Sequence, residues 1–200
     1  LSGIEVKVGN DDELLVRSDC NMLGYWNNVQ ATKEIIDEDG WLHTGDKVRI
    51  DNNFIYITGR LKEIIVLSNG KKVAPADLEL AITMDNLFEQ VMVIGEGCPY
   101  LSAIIVLDNE HWTEFAESLS VKPNEQSLQN NMVIDAIKKR VDELIFEFPG
   151  YAKIRRIALS LEPWTIDNAL NTPTMKLKRH AIQEHFAQQI EQLYEGHQPV

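Results

Sequence analysis

The residues of this chain with the greatest chemical reach stand in three short stretches: Asp39 to Asp46 (DGWLHTGD), Thr58 to Pro75 (TGRLKEIIVLSNGKKVAP) and Asn171 to Arg179 (NTPTMKLKR). Each sets charged residues or glycines in turns, where binding groups are commonly displayed. In the first, a tight Thr44-Gly45 turn would fix the Asp46 carboxylate, which could accept two hydrogen bonds from a vicinal diol such as a ribose. Taken alone, Asp46 serves equally well as the residue that closes a β-turn. In the second, the planar fork of Arg60 suits phosphate or ribose oxygens, and a hairpin tip at Ser68, Asn69 and Gly70 follows it. A surface arginine ahead of an ordinary hairpin accounts for that stretch as well. In the third, Lys176 is a mobile point charge able to neutralise negative charge building up at a phosphorus centre. A solvated basic cluster at a helix start is the plain alternative.

The elements that must carry these groups fall into two pieces. Up to Arg60 the chain reads as short strands at Ile4–Val8, Glu13–Arg17 and Phe54–Thr58, with a short helix over Val29–Ile35. Asp39-Gly40, Gly45-Asp46 and Asn52-Asn53 punctuate them as turns. Few strands are present to bury a sheet face, so this piece reads as part of something larger. Beyond Arg60, strands alternate with longer helical stretches. Strands are expected at Ile64–Leu67, Lys72–Val73, Gln90–Ile94, Leu101–Leu107 and Ile154–Leu159. Helices are expected from Pro75 to about Met84, over 109–119 and 131–147, and from Lys178 to Glu195, with a polar loop from Ser160 to Met175. Val133, Ile137, Val141, Leu144, Ile145 and Phe148 recur at helical spacing and predict an apolar stripe that packs on a sheet. The fold class is α+β: a partial β-rich subdomain, residues 1–60, then a compact α+β domain, residues 61–200.

Composition excludes several classes. The 200 residues are 44% hydrophobic and 25% charged, with 19 Lys plus Arg against 31 Asp plus Glu and a net charge of −12. That balance repels nucleic-acid backbones and anionic headgroups, so no nucleic-acid partner is expected. No apolar run reaches the ~18 residues that span a bilayer. Cys20 and Cys98 lie far apart with no nearby ligand at metal spacing, so neither a disulfide framework nor a zinc site is indicated and a reducing cytoplasm fits. His43, His111, His180, His185 and His197 form no ligand set and read as structural or solvent-exposed. The N-terminus, which lacks an initiator Met and a signal-peptide pattern, suggests a start inside a longer reading frame.

The order and spacing of the three stretches resemble the terminal motifs of the adenylate-forming superfamily of acyl-CoA synthetases, adenylation domains and luciferases. The resemblance covers essentially the whole chain, including Gly24-Tyr25-Trp26-Asn27-Asn28-Val29-Gln30-Ala31-Thr32, which is similar to the family's "GYxxxxxxT" stretch. Thr-Pro-Thr-Met-Lys-Leu-Lys-Arg at 172–179 and the long helical section over 109–149 look like the long-chain fatty acyl branch. By this resemblance the second piece is a mobile C-terminal lid domain. Asp46 would hold the ribose hydroxyls of ATP and AMP, assisted by Arg60, and Lys62 would be the pivot. Lys176 would bridge the substrate carboxylate and the α-phosphate. Ser68, Asn69 and Gly70 would face the pantetheine of coenzyme A after rotation. Glu63 stands where the family commonly has Asp, and Asn52-Asn53 where it has Asp-Gly.

The implied reaction uses ATP, Mg²⁺ and coenzyme A with a fatty acid. No phosphate loop, Mg²⁺ carboxylate or acyl pocket is legible here. In the family those belong to a larger N-terminal domain, which would be this chain's partner. The fragment alone is therefore expected to be inactive and to bind none of these groups tightly. A fatty acyl-AMP ligase that delivers to a carrier protein, or a non-catalytic module of the same fold, remain alternatives. Acyl chain length, oligomeric state and peripheral attachment at the inner membrane face are not legible.

Overall fold

The computed structural model describes residues 3–196, which fall into two compact units, one ending at Ile64 and the other beginning at Ile65.

The first unit is a four-stranded antiparallel meander in the order β1 (Ile4–Val8), β2 (Glu13–Ser18), β3 (Leu42–Asp51) and β4 (Phe54–Arg60). Helix α1 (Val29–Ile35) lies between β2 and β3, and the Asn28 side chain caps it by accepting the Ala31 N–H. Asn52 and Asn53 join β3 to β4 with φ of 49° and 65°. Asparagine tolerates this left-handed region better than most residues, so the pair serves as a tight hairpin link. The core of this unit is thin, because Leu15, Trp41 and Val48 are its buried apolar residues.

One sequence expectation is corrected here. Gly45-Asp46 does not separate two strands; it lies inside the ten-residue β3, where the register against β2 slips between Glu13 and Leu15. Gly45, at φ 71°, supplies the backbone kink of a β-bulge.

The second unit starts with a two-stranded hairpin, β5 (Ile65–Val66) and β6 (Lys72–Val73), and helix α2 (Pro75–Thr83). Its centre is a three-stranded sheet in the order β7 (Phe88–Ile94), β8 (Leu101–Leu107) and β9 (Ile154–Ser160). Strands β7 and β8 run antiparallel, and β8 and β9 parallel. A parallel neighbour requires a crossover. Here it carries α3 (Asn109–Ser118) and α4 (Asn131–Leu144).

Strand β8 is buried along its whole length and feeds two cores by alternation. Leu101, Ala103, Ile105 and Leu107 face one cluster with α2, α3 and α4, while Ile104 and Val106 face another. On α4, Val133, Ile137 and Val141 recur every four residues, and Ile145 just beyond completes the stripe, so one helix face is wholly buried. The second cluster is closed by α5 (Arg179–His185) and α6 (Ala187–Leu193), through Ile182, Phe186, Leu193 and Tyr194.

Three further expectations change at their edges. The helix expected over 131–147 stops at Leu144. The single helix expected over Lys178–Glu195 is broken at Phe186, whose φ of −100° and ψ of 18° leave the helical range. Phe186 is buried there with its ring edge-on to Trp164 at 6.2 Å, so core packing overrides helix continuity. Ser160, expected to open the polar loop, ends β9 instead, and within the loop that follows to Met175, Trp164, Leu170 and Asn171 are buried.

Candidate functional site

The site residues divide between the two units. In the first, Asp46 and Arg60 face each other across β3 and β4, and Arg60 Nε donates to Asp46 Oδ1 at 3.1 Å. The pair is asymmetric in exposure: the Asp46 side chain is 24% exposed and that of Arg60 is 56%. A carboxylate so placed is fixed by its strand, while the guanidinium can reorient toward a bound anion.

The bulge holding Asp46 is built from side chains. Thr44 Oγ1 donates to the Leu14 carbonyl at 2.8 Å and accepts the Asp46 N–H at 3.1 Å. Glu13 Oε1 accepts the Gly45 N–H at 2.9 Å, and its Oε2 lies 2.8 Å from His43 Nδ1. Glu13 was not singled out from sequence, because it is on another strand 32 residues before Gly45. His43 has a structural partner in it. Lys62 falls in the 3-10 turn Leu61–Glu63, just before the end of this unit.

The GYxxxxxxT spacing also has a physical cause. Tyr25 N–H donates to Thr32 Oγ1 at 2.9 Å, and a Cβ on Gly24 would meet Thr32 Cγ2 at 2.6 Å. The aromatic residues do not pack within the unit: Tyr25 is 48% and Trp26 91% exposed.

In the second unit Lys176 is exposed at the end of a loop closed upon itself. Thr172 N–H donates to the Lys176 carbonyl at 2.8 Å, and Lys176 N–H donates to Thr172 Oγ1 at 3.0 Å. Met175 takes a φ of 59° to make the turn, and Asn171 and Leu177 form an antiparallel bridge beneath it. The loop is pinned below by the Gln90 side-chain amide, which accepts the Trp164 N–H at 2.6 Å and donates to the Trp164 carbonyl at 3.0 Å. Asn171 donates to that same carbonyl at 2.8 Å.

Three residues past Lys176, Arg179 donates to both oxygens of Glu79, at 2.8 and 2.6 Å. Glu79 in turn accepts the Val93 N–H at 2.8 Å, so α2, β7 and α5 meet at one ion pair. The result is a four-carbon side chain ending in an ammonium, mounted on a fixed backbone.

Ser68, Asn69 and Gly70 form the tip joining β5 to β6, and all three are exposed. Gly70 has a φ of 78°, and Asn69 Oδ1 accepts the Lys71 N–H at 3.0 Å. An Asn-Gly pair suits this turn because both tolerate the left-handed region. Glu79 and Gln90 have no signal in the sequence, because their roles arise from contacts between distant segments that periodicity does not report; Thr172 lies inside the third stretch, and its bond to Lys176 is local. No group of three or more His, Cys, Asp or Glu able to hold a metal ion occurs among the described residues. His197 lies outside the described residues, and among those described no helix is long and apolar enough to cross a membrane.

Each unit therefore carries a separately built charged group, a fixed carboxylate paired with an arginine in the first and a displayed lysine in the second, in a mixed α+β chain. Comparison with known proteins gives the family of the chain. The AMP-binding enzyme C-terminal domain family matches residues 62–198. A long-chain-fatty-acid–CoA ligase of Mycobacterium tuberculosis, FadD15, is 35% identical over 96% of this chain and 32% of its own length. The chloroplastic long-chain-fatty-acid–[acyl-carrier-protein] ligase AEE15 of Arabidopsis thaliana is 31% identical over 93% of this chain and 26% of its own. Among solved structures, the A domain of a carboxylic acid reductase from Segniliparus rugosus, in complex with AMP and a co-purified carboxylic acid, superposes with a TM-score of 0.79. It is 25% identical and covers 92% of this chain and 28% of that one. The fold is that of the C-terminal portion of an adenylate-forming enzyme. This chain belongs to the AMP-binding enzyme family through its C-terminal domain, and it spans a quarter to a third of the length of these curated relatives.

Proposed function

We propose that the full-length protein carrying this chain is an ATP-dependent long-chain fatty acid–CoA ligase, in which residues 61–200 act as the mobile lid and the remainder of the polypeptide supplies the phosphate loop, the Mg²⁺ site and the acyl pocket. The observation that carries this reading is Lys176, exposed on a loop whose backbone is closed by Thr172, in a chain similar over nearly its whole length to long-chain ligases. A lysine mounted in this way has a fixed origin and a free ammonium.

In the first half-reaction a fatty carboxylate oxygen attacks the α-phosphorus of ATP, the bond to the β-phosphate oxygen breaks, and pyrophosphate leaves. Two anions must approach each other, and a positioned ammonium offsets their repulsion where charge develops. Asp46, held by the bulge, accepts the ribose hydroxyls, and Arg60 turns from Asp46 toward ribose or phosphate oxygens. In the second half-reaction the thiol sulfur of coenzyme A attacks the acyl carbon of the adenylate, AMP leaves, and the thiol proton is released. The Lys176 loop must clear the way for it, which a pivot at Lys62 allows, bringing the Ser68–Gly70 hairpin to the pantetheine.

Replacing Lys176 with Ala in the full-length protein tests this. Fatty-acid-dependent ATP–pyrophosphate exchange should fall at least ~100-fold, the scale of one lost transition-state donor, while thioester formation from supplied acyl-adenylate is spared. Equal loss of both steps, or of neither, rejects the role. A second reading, delivery to a carrier protein, is favoured by the similarity to AEE15. Supplying coenzyme A and a phosphopantetheinylated carrier protein in parallel separates the two.

A further inference from the structure

Strands β5 and β6 have two residues each, and a lone two-stranded hairpin is marginal in water. Its base packs into the core through Ile65, Leu67 and Val73, but its tip is exposed from Ser68 to Lys71 and no packing holds that tip. The tip is further tied to a second turn, the one that joins β7 to β8. Gly97 N–H donates to the Val66 carbonyl at 2.8 Å, and Ser68 N–H donates to the Cys98 carbonyl at 3.0 Å. Val66 N–H donates to Glu96 Oε2 at 2.8 Å.

The first two bonds are backbone to backbone, so any sequence could make them. The third depends on one side chain. Its backbone is itself rigid: Gly95 takes a φ of 155°, where a Cβ would come within 2.9 Å of Leu101 Cδ2 and 3.1 Å of the Tyr100 carbonyl. Gly97 has a φ of 66°, and Cys98 N–H closes the turn onto the Gly95 carbonyl at 2.9 Å. Glu96 is thus presented to Val66 from a fixed support. Its charge is the wrong sign to attract the phosphates of coenzyme A, so the Val66 N–H accounts for it better than contact with substrate.

We propose that Glu96 is a positioning residue for the thiol-transfer step: its carboxylate sets the Ser68–Gly70 tip that guides a phosphopantetheine arm, two residues beyond Val66. This rests on the reading of that hairpin given under the proposed function. Lys176 and its loop are held by other contacts, through Thr172, Gln90 and Arg179. Adenylation therefore does not depend on Glu96.

The test uses the full-length protein with Glu96→Ala and Glu96→Gln. The first half-reaction is read by fatty-acid-dependent ATP–pyrophosphate exchange without thiol. The second is read by transfer from supplied acyl-adenylate to coenzyme A, and separately to a phosphopantetheinylated carrier protein, which identifies the source of the thiol. In Glu96→Ala the KM for the accepted thiol should rise about fivefold, the scale of one lost hydrogen bond, with kcat little changed and exchange unaltered. Glu96→Gln, whose amide oxygen still accepts the Val66 N–H, should restore most of the loss. An unchanged KM, an equal fall in both half-reactions, or a Gln variant as impaired as the Ala variant overturns the proposal. If the wild-type protein acylates neither thiol, the ligase reading fails and the thiol role with it. Hydrogen exchange at the Val66 amide then decides the brace, which is rejected if exchange is as slow in Glu96→Ala as in wild type.

Discussion

Asp46 shows how a single carboxylate is fixed in place by side chains around it. Its position in DGWLHTGD is legible because a carboxylate after Thr-Gly suits a diol, and the structure pairs it with Arg60. The support beneath it was not legible, since Glu13 lies on the neighbouring strand and reaches Gly45 only once β2 and β3 have paired. Asp46→Ala in the full-length protein should raise the KM for ATP about tenfold or more, the loss expected when a charge-assisted acceptor is removed. Glu13→Ala should move the same constant by a smaller factor, because the bulge loosens but the carboxylate remains. If Glu13→Ala leaves it unchanged while Asp46→Ala raises it, the bulge does not depend on that side chain. Lys176 was legible for a different reason: it stands in a short motif whose turn chemistry is local, from Thr172 to Lys176. Residues that act through contacts distant in sequence, Glu79, Gln90 and Glu96, carried no such mark.

At the scale of elements, what could be read depended on periodicity. The apolar stripe of α4 was visible because Val133, Ile137 and Val141 repeat at the helical period, and β8 because a short β-branched run is bounded by turns. The break at Phe186 was not visible, since Ile182, Phe186 and Ile190 keep the helical spacing across it. Helix α4 is also tied at its solvent side, where Arg140 donates to both oxygens of Asp85, at 2.6 and 2.9 Å. Burial works to raise the Asp85 carboxyl, but the Arg140 hydrogen bond, the Leu87 N–H and nearby positive charge outweigh it and hold it below its ordinary value. A carboxylate whose folded-state pKa is depressed binds protons more readily when unfolded. Its stabilisation is present above the unfolded value, about 3.9, and is lost as pH falls through the folded one. Asp85→Asn should therefore cost about 1–3 kcal/mol near neutral pH. The gap from wild type should close as the medium is acidified below about pH 4. Chemical denaturation at a series of pH values checks this, and a gap that widens on acidification would contradict the assignment.

The whole molecule is uneven in a way that its composition conceals. Apolar residues are spread along the chain, yet apart from Leu15, Trp41 and Val48 the buried ones lie from Ile65 onward. The first unit instead exposes Leu23, Trp26, Phe54 and Ile57, at 102%, 91%, 68% and 67%. A sheet with so little buried area cannot offset the conformational entropy of ordering its own backbone. Strand count alone marks this piece as part of something larger. The exposure supplies its energetic reason. Residues 65–200, by contrast, have a sheet covered on both faces and two apolar clusters that use the alternation of β8. Expressed separately, residues 65–200 should unfold in one cooperative thermal transition with dispersed amide resonances. Residues 1–64 alone should show no cooperative transition and should self-associate through the exposed apolar side chains. Calorimetry and amide spectra of the two pieces check this directly. A sharp independent transition in residues 1–64 would mean that three buried side chains and a bulged meander suffice, and the need for further chain to complete that sheet would disappear.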